Sequence, residues 1–363
     1  MNIYTKLLSN FLTKFSNKTE MEKEILEQPY VIENLLKKYL SKDGTINIDF
    51  PEKVKKIALI ASGSSYHSAT IAANFLRNSV DCYAQSYYSS EFCLVENVNV
   101  ETDTLYIFIS QSGETTDTNM ALEKVALKTN KTLAITNTKN SKLYNTAKYK
   151  ILTLAGIEKS IASTKAMIAQ LFCLFLIAAK IMQMKEKPIN NILNELKSVS
   201  EAITKSFTFR EDIYKYATHL KTYENAAVLA SGMFYPLAKE GALKIKETSY
   251  INTAAYPTGE FLHGHIAILN KRCATILLIN NNNVEFTTDV LSRIKDDYVS
   301  DLLIISAIPL SKSEKDIIIS TDTKYDIDFL FMSLVILQLL AFETATLLKR
   351  NVDTPKGLSK IVK

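Results

Sequence analysis

The chemistry legible in this chain begins with three turns rich in hydroxyl groups. Residues 110–118 read SQSGETTDT and follow an apolar run, so serines, threonines and one glycine fall at the start of the next helical pattern. A helix start offers unpaired backbone N–H groups and the positive end of the helix dipole, and hydroxyls add short neutral donors. That combination suits a phosphate group. Residues 62–65 (SGSS) close an earlier apolar run, and Ser163 with Thr164 open a long helical pattern. Ser and Thr are also ordinary helix caps. Three such turns at strand-to-helix junctions of one sheet nonetheless favour a phosphate pocket. No lysine follows them in P-loop spacing, so a nucleoside triphosphate is not implied.

A second group of residues carries charge. In residues 239–250 (KEGALKIKETSY), Glu240, Lys244 and Glu247 stand four and three apart and share one helix face. Such a face is also what a solvated ion-pair ridge looks like. Residues 258–265 (TGEFLHGH) form a glycine-bounded loop with Glu260, His263 and His265, two of the four histidines; the others, His67 and His219, lie in helical patterns. An aldose–ketose isomerase needs a base to move a proton between C1 and C2, a group to open the ring and a cation for enediolate charge. Glu247, His263 and Lys244 would supply those three roles.

The elements that must hold these residues show an internal repeat. Residues 57–69 (IALIASGSSYHSA) and 226–238 (AAVLASGMFYPLA) share A-S-G-x-x-Y-x-x-A at an offset of 230 − 61 = 169 residues. Each copy reads as a short buried strand running into a helix. Residues 104–110 and 274–280 read as second strands and residues 131–136 and 301–306 as third strands, with helical patterns between them. Strands alternating with helices predict an α/β fold of two tandem doubly wound parallel-sheet modules. Each module closes with an apolar helix, residues 166–179 and 329–342. Both segments fall short of the roughly 20 residues a membrane span needs, and Gln170 and Gln338 interrupt them. The expected organisation is a helical N-terminal arm and linker over residues 1–50, a phosphate-sugar module over 51–200, a module with the catalytic residues over 201–350, and a C-terminal tail over 351–363. The arm, residues 21–39, is interrupted at Pro29; the polar stretch 190–212 joins the modules; and the tail, with Pro355 and Gly357, reads by composition as a frayed end.

Composition narrows the classes. The 363 residues are 47% hydrophobic, enough for two ordinary domains, and the net charge of +5 from 43 basic and 38 acidic residues is spread without a block that would track nucleic acid. A small anionic ligand fits better. Cys82, Cys93, Cys173 and Cys273 are too scattered for a metal site or a disulfide framework and read as reduced core residues. Residues 1–15 lack the apolar stretch and cleavage site of a leader. A cytoplasmic protein is expected.

The motifs together resemble the double sugar-isomerase (SIS) proteins, and specifically the isomerase half of glucosamine-fructose-6-phosphate aminotransferase. The resemblance covers about residues 20–363 and is carried by ISQSGETTDT (109–118), IASTKA (161–166), EGALKIKETSY (240–250) and GEFLHG (259–264). It implies sugar-phosphate contacts from Ser65, Ser110, Gln111, Ser112, Thr115 and Ser163, with Glu240 among the substrate-binding residues. It implies that Glu247 moves the C1/C2 proton, that Lys244 assists, and that His263 opens the ring from the neighbouring subunit of a homodimer. It also identifies GLSK (357–360) with the family's C-terminal lysine segment, in which Lys360 forms a Schiff base with the ketose. No metal or organic cofactor is implied.

The chain departs from the aminotransferase pattern in three places. Asn2 follows Met1 where a catalytic cysteine would open a glutaminase domain, and there is no room for such a domain, so glutamine is not the expected ammonia source. His265 stands where these proteins have proline, and Ser62 where the aminotransferase has cysteine. The expected reaction is glucosamine 6-phosphate to fructose 6-phosphate and ammonia. The alternatives are a deglycase acting on a sugar-6-phosphate adduct of an amino acid and a non-catalytic sugar-phosphate sensor. The sugar epimer is not set by these residues.

Overall fold

The computed structural model of the chain describes residues 19–52, 54–95, 99–269, 273–297, 302–311 and 315–360. The reading of residues 1–15 as carrying no leader lies outside them. The described chain divides into two compact units, one of residues 30–158, 163–197 and 359–360, the other of residues 19–29, 159–162 and 198–358.

Two helices come first, α1 (Glu20–Leu26) and α2 (Gln28–Tyr39). The break between them falls at Glu27 and not at Pro29, because Pro29 sits in the first turn of α2, where a missing N–H costs no helical hydrogen bond. The sheet of the first unit has β1 (Lys56–Ala61), β2 (Tyr83–Tyr88), β3 (Thr104–Ile109), β4 (Thr132–Thr136) and β5 (Tyr149–Leu152). All pair in parallel, in the order β2-β1-β3-β4-β5. Between and after them run α3 (Gly63–Ser79), α4 (Ser89–Leu94), α5 (Thr116–Ala126), α6 (Lys142–Thr146) and α7 (Lys165–Met184).

The stretch expected to join the modules is itself helical, forming α8 (Asn190–Ser206) and the start of α9 (Arg210–Leu220). The second sheet has β6 (Asn225–Ala230), β7 (Asn252–Pro257), β8 (Cys273–Ile279), β9 (Leu302–Ser306) and β10 (Ile317–Ser320), with α10 (Tyr235–Ser249) after β6, α11 (Val284–Asp297) after β8 and α12 (Asp326–Leu347) last. Its order, β10-β9-β8-β6-β7, is the first sheet's order repeated, and it too is all parallel. The repeat thus folds as the same unit twice. Even the glycines of the shared motif match, Gly63 at φ 56° and Gly232 at φ 58°.

Each sheet has five strands where the apolar runs predicted three. The strands that sequence patterning missed are β2, β5, β7 and β10, which are the two edges of each sheet. An edge strand is covered less completely, so it need not be apolar throughout. The strand β2 reads YAQSYY with Tyr83 exposed, whereas β3 and β4 are buried at every residue.

The two apolar segments extend into helices of 20 and 22 residues, long and apolar enough to cross a membrane, which corrects the expectation that they fall short. Burial settles what they are. In their most apolar windows, 78% of α7 and 89% of α12 are buried inside the fold, and Gln170 and Gln338 are buried with them. Gln28 Nε2 donates to Gln338 Oε1 at 2.5 Å. The four cysteines are free thiols; Cys82, Cys173 and Cys273 are core residues, while Cys93 is only half-buried.

Polar bonds fasten the arm and the tail within the second unit. The Arg210 guanidinium lies between Glu22 (2.5 Å) and Glu343 (2.6 Å), all three buried. Asp353 accepts from the backbone N–H groups of Glu20 (3.1 Å) and Met21 (2.8 Å), so a tail carboxylate caps α1.

Asp328, in the first turn of α12, is buried and accepts from Ser198 Oγ at 2.9 and 3.1 Å. Burial pushes its pKa up to about 6, against the opposing pull of the Ser198 bond. A carboxyl whose folded pKa is raised favours the fold fully below its ordinary value of 3.8, and that contribution is lost as pH rises through about 6. The substitution Asp328→Asn keeps an oxygen for Ser198 and should raise the melting temperature at pH 8 by roughly 2–4 °C. Melting curves should show that gain shrinking as the pH is lowered to 5.

Candidate functional site

In the sheet order β2-β1-β3-β4-β5, the chain leaves β1 toward one edge and β3 toward the other, and ligands bind at such a switch point beyond the strands' carboxyl ends. Both first-unit turns stand there. Ser62 directly follows β1 and precedes α3, whose first turn carries Ser65; Ser110 directly follows β3 in the turn that leads to α5.

The turn after β3 is internally braced. The hydroxyls of Ser110 and Thr115 are 2.8 Å apart, the N–H of Gly113 donates to Ser110 Oγ at 3.1 Å, and that of Glu114 to Ser112 Oγ at 3.1 Å. Asn119 Nδ2 donates to the carbonyls of Gly113 and Thr115, both at 3.1 Å. Gly113 is required twice over. Its φ is +69°, and a Cβ there would lie 2.0 Å from Ser141 Oγ. Ser110 is buried, while Gln111, Ser112 and Thr115 are half-buried.

The cap residues of the three helices are Ser62, Thr115 and Thr164, and none makes a side-chain cap hydrogen bond. Capping is therefore not what these hydroxyls do. Ser141, which does cap α6, shows the contrast.

The long helix α7 is served by a residue that sequence reasoning missed. Glu158 Oε1 accepts from the N–H groups of Thr164 (2.9 Å) and Ala166 (3.0 Å), flanking the start of the helix beside the half-buried Ser163. Its other oxygen, Oε2, receives Lys360 Nζ at 2.7 Å. The Glu158 side chain is 0% exposed. Glu158 stands six residues before the helix cap, outside any local capping spacing, so no pattern in the sequence marks it.

In the second unit the charged face of α10 is not a solvated ridge. Glu240 and Lys244 are wholly buried, 3.3 Å apart, and Lys244 Nζ also donates to Glu247 Oε1. Burial alone would lower the pKa of the ammonium, but the charges of Glu240 and Glu247 outweigh it and hold the group above its ordinary value. Of the three, Glu247 alone reaches solvent, with 16% of its side chain exposed. Gly241 lets α10 lie close to α12, since a Cβ there would meet Leu337 Cδ1 at 2.6 Å.

His263 ends a short 3-10 turn over Glu260–Leu262 and is exposed, as are Glu260 and His265. Among the described residues it makes no hydrogen bond to Lys244 or Glu247. The ring of His265 packs on Tyr256 with centroids 4.7 Å apart. Within each unit, then, the structure gathers Ser110, Ser112 and Thr115 in one turn, Lys360 with the residues that open α7, and Glu240, Lys244 and Glu247 on one buried face.

Comparison with known proteins identifies the repeated unit. The SIS domain model matches residues 52–180 and again 219–348. Glutamine–fructose-6-phosphate aminotransferase [isomerizing] of Campylobacter jejuni is 34% identical over 94% of this chain, and that of Fusobacterium nucleatum is 32% identical over 94%. The chain spans 58% of the length of each of these relatives. Among solved structures, the C-terminal domain of glucosamine-fructose-6-phosphate aminotransferase from Francisella tularensis superposes with a TM-score of 0.88 at 29% identity, covering 94% of this chain and 99% of that one. A glucosamine-6-phosphate deaminase from Thermotoga maritima shares the fold, with a TM-score of 0.75 at 21% identity over 95% of this chain and 99% of that one. The chain belongs to the SIS-domain family and carries two copies of the domain in tandem.

Proposed function

We propose that this protein, acting as a cytoplasmic homodimer, converts an aminohexose 6-phosphate into the ketose 6-phosphate and ammonia, with glucosamine 6-phosphate to fructose 6-phosphate as the reaction to test first. The observation that carries the reading is the Lys244 ammonium buried between Glu240 and Glu247. It leaves one partly exposed carboxylate fixed beside a cation, which is what proton transfer at carbon needs. The starts of α3 and α5, whose cap residues make no side-chain cap hydrogen bond, support phosphate binding by Ser65, Ser110, Gln111, Ser112 and Thr115, and the half-buried Ser163 beside the start of α7 adds a further hydroxyl. The aminotransferase relatives are named for fructose 6-phosphate and for isomerisation.

In this scheme His263, supplied by a second copy of the chain, gives a proton to the ring oxygen as the C1–O5 bond opens, and the C1 hydroxyl loses its proton to water as the C1 aldehyde forms. Its exposed turn suits that reach. Glu247 takes the proton from C2 and returns it to C1, while Lys244 faces the oxygen on which charge collects. The C2 imine so formed exchanges ammonia for the Lys360 amine, and water then releases the ketose. In this direction water is the only co-substrate, so the named residues suffice without a nitrogen donor.

Two variants test the roles. The substitution Glu247→Gln keeps a partner for Lys244 and should lower kcat by about 1000-fold, while fructose 6-phosphate binding, measured by calorimetry, stays within a few-fold of wild type. Unchanged turnover would remove Glu247 from the mechanism. Replacing Lys360 with Ala should cost about 100-fold in kcat; full activity in that variant would exclude the imine.

A further inference from the structure

Glu158 is a buried carboxylate with no part in the steps above. Glu158 has no exposed side-chain surface, yet its two oxygens do different things. One holds the backbone N–H groups of Thr164 and Ala166, and the other faces the Lys360 ammonium at 2.7 Å. A helix cap needs only the first. The carboxylate has left water entirely while 25% of the Lys360 side chain is exposed, so the contact sets a desolvated proton acceptor against an amine that solvent still reaches.

We propose that Glu158 is the proton acceptor and donor for Lys360 during imine formation, a role that rests on the sugar-phosphate reading above. In the ketose direction, Glu158 takes a proton from the Lys360 ammonium. The freed lone pair forms the N–C2 bond as the carbonyl π pair moves onto oxygen. The nitrogen passes one proton to that oxygen, giving a carbinolamine. Glu158 then returns its proton to the hydroxyl, which leaves as water while the nitrogen lone pair closes the C=N bond. Three protons on the ammonium become one on the iminium and two in water; the charge is conserved, and nothing is oxidised or reduced. Hydrolysis runs the same steps backwards. The oxygen held by the backbone explains why the exchange can be repeated. Fixed to the first turn of α7 by two N–H groups, the carboxylate does not have to be repositioned between proton transfers, and it holds the amine on the same unit as Ser163.

The variant that separates this role from capping is Glu158→Gln, whose amide oxygen can still accept from Thr164 and Ala166 but whose other end is no proton acceptor. Glu158→Ala removes both functions. Each protein is mixed with fructose 6-phosphate, the imine is trapped with borohydride at timed intervals, and the reduced adduct on Lys360 is followed by intact mass, with melting curves alongside. The expected result is that Glu158→Gln melts near wild type and traps the ketose about 100-fold more slowly or worse. Trapping at the wild-type rate overturns the proposal. Slow trapping with a melting temperature as low as that of Glu158→Ala overturns it too, since the carboxylate would then act only through the fold. If wild type turns over the amino sugar but traps nothing, the imine and this role fail while the deaminase reading stands. If wild type does neither, the deaminase reading itself has failed.

Discussion

A parallel sheet must be covered on both faces, because its strands are joined by crossovers that place helices there. Both five-stranded sheets obey that constraint, and much of the chain's composition follows from it. The strands β1, β3, β4, β6, β8 and β9 are almost wholly buried. The helices α7 and α12 are apolar nearly all round, which gives them the hydropathy of membrane spans while they serve as cores. Polar chemistry has little room on the faces. Much of it sits at the ends of strands and the starts of helices, where the hydroxyl turns are found, and the Lys244 cluster on the buried face of α10 is the exception.

The charges that are admitted to the interior are held by more than one partner. Lys244 has two carboxylates, Glu158 has two N–H groups and an ammonium, and Arg210 has Glu22 and Glu343. Desolvating any of these groups is expensive, and removing one partner would strand the other. Arg210 spends that cost on joining the arm helix to the second unit. At Lys244 the same expense fixes a carboxylate at the one point on its helix face that solvent reaches. The two clusters look alike in burial and differ in the exposure of one member, Glu247, which is what makes that carboxylate the proposed proton carrier while Arg210 serves as a fastening.

The repeated module was legible because the motif A-S-G-x-x-Y-x-x-A and the central apolar strands recur in order. The edge strands were not legible, since a half-covered strand such as YAQSYY carries no continuous apolar run. The hydroxyl turns and the Glu240, Lys244, Glu247 spacing could be read directly. Whether those residues were caps and surface pairs could not, because capping geometry and burial are tertiary facts. Glu158 was invisible for the same reason. Its meaning comes from a helix start six residues on and a lysine about 200 residues away, and no local pattern joins them.

The most direct test of the account is to mix the purified protein with glucosamine 6-phosphate and follow ammonia and fructose 6-phosphate in the same sample, with galactosamine 6-phosphate in parallel. The account predicts equal molar amounts of ammonia and ketose from one of the two sugars. Tight binding of glucosamine 6-phosphate with neither product formed from either sugar would contradict it, and would leave the buried Lys244 cluster without the reaction assigned to it.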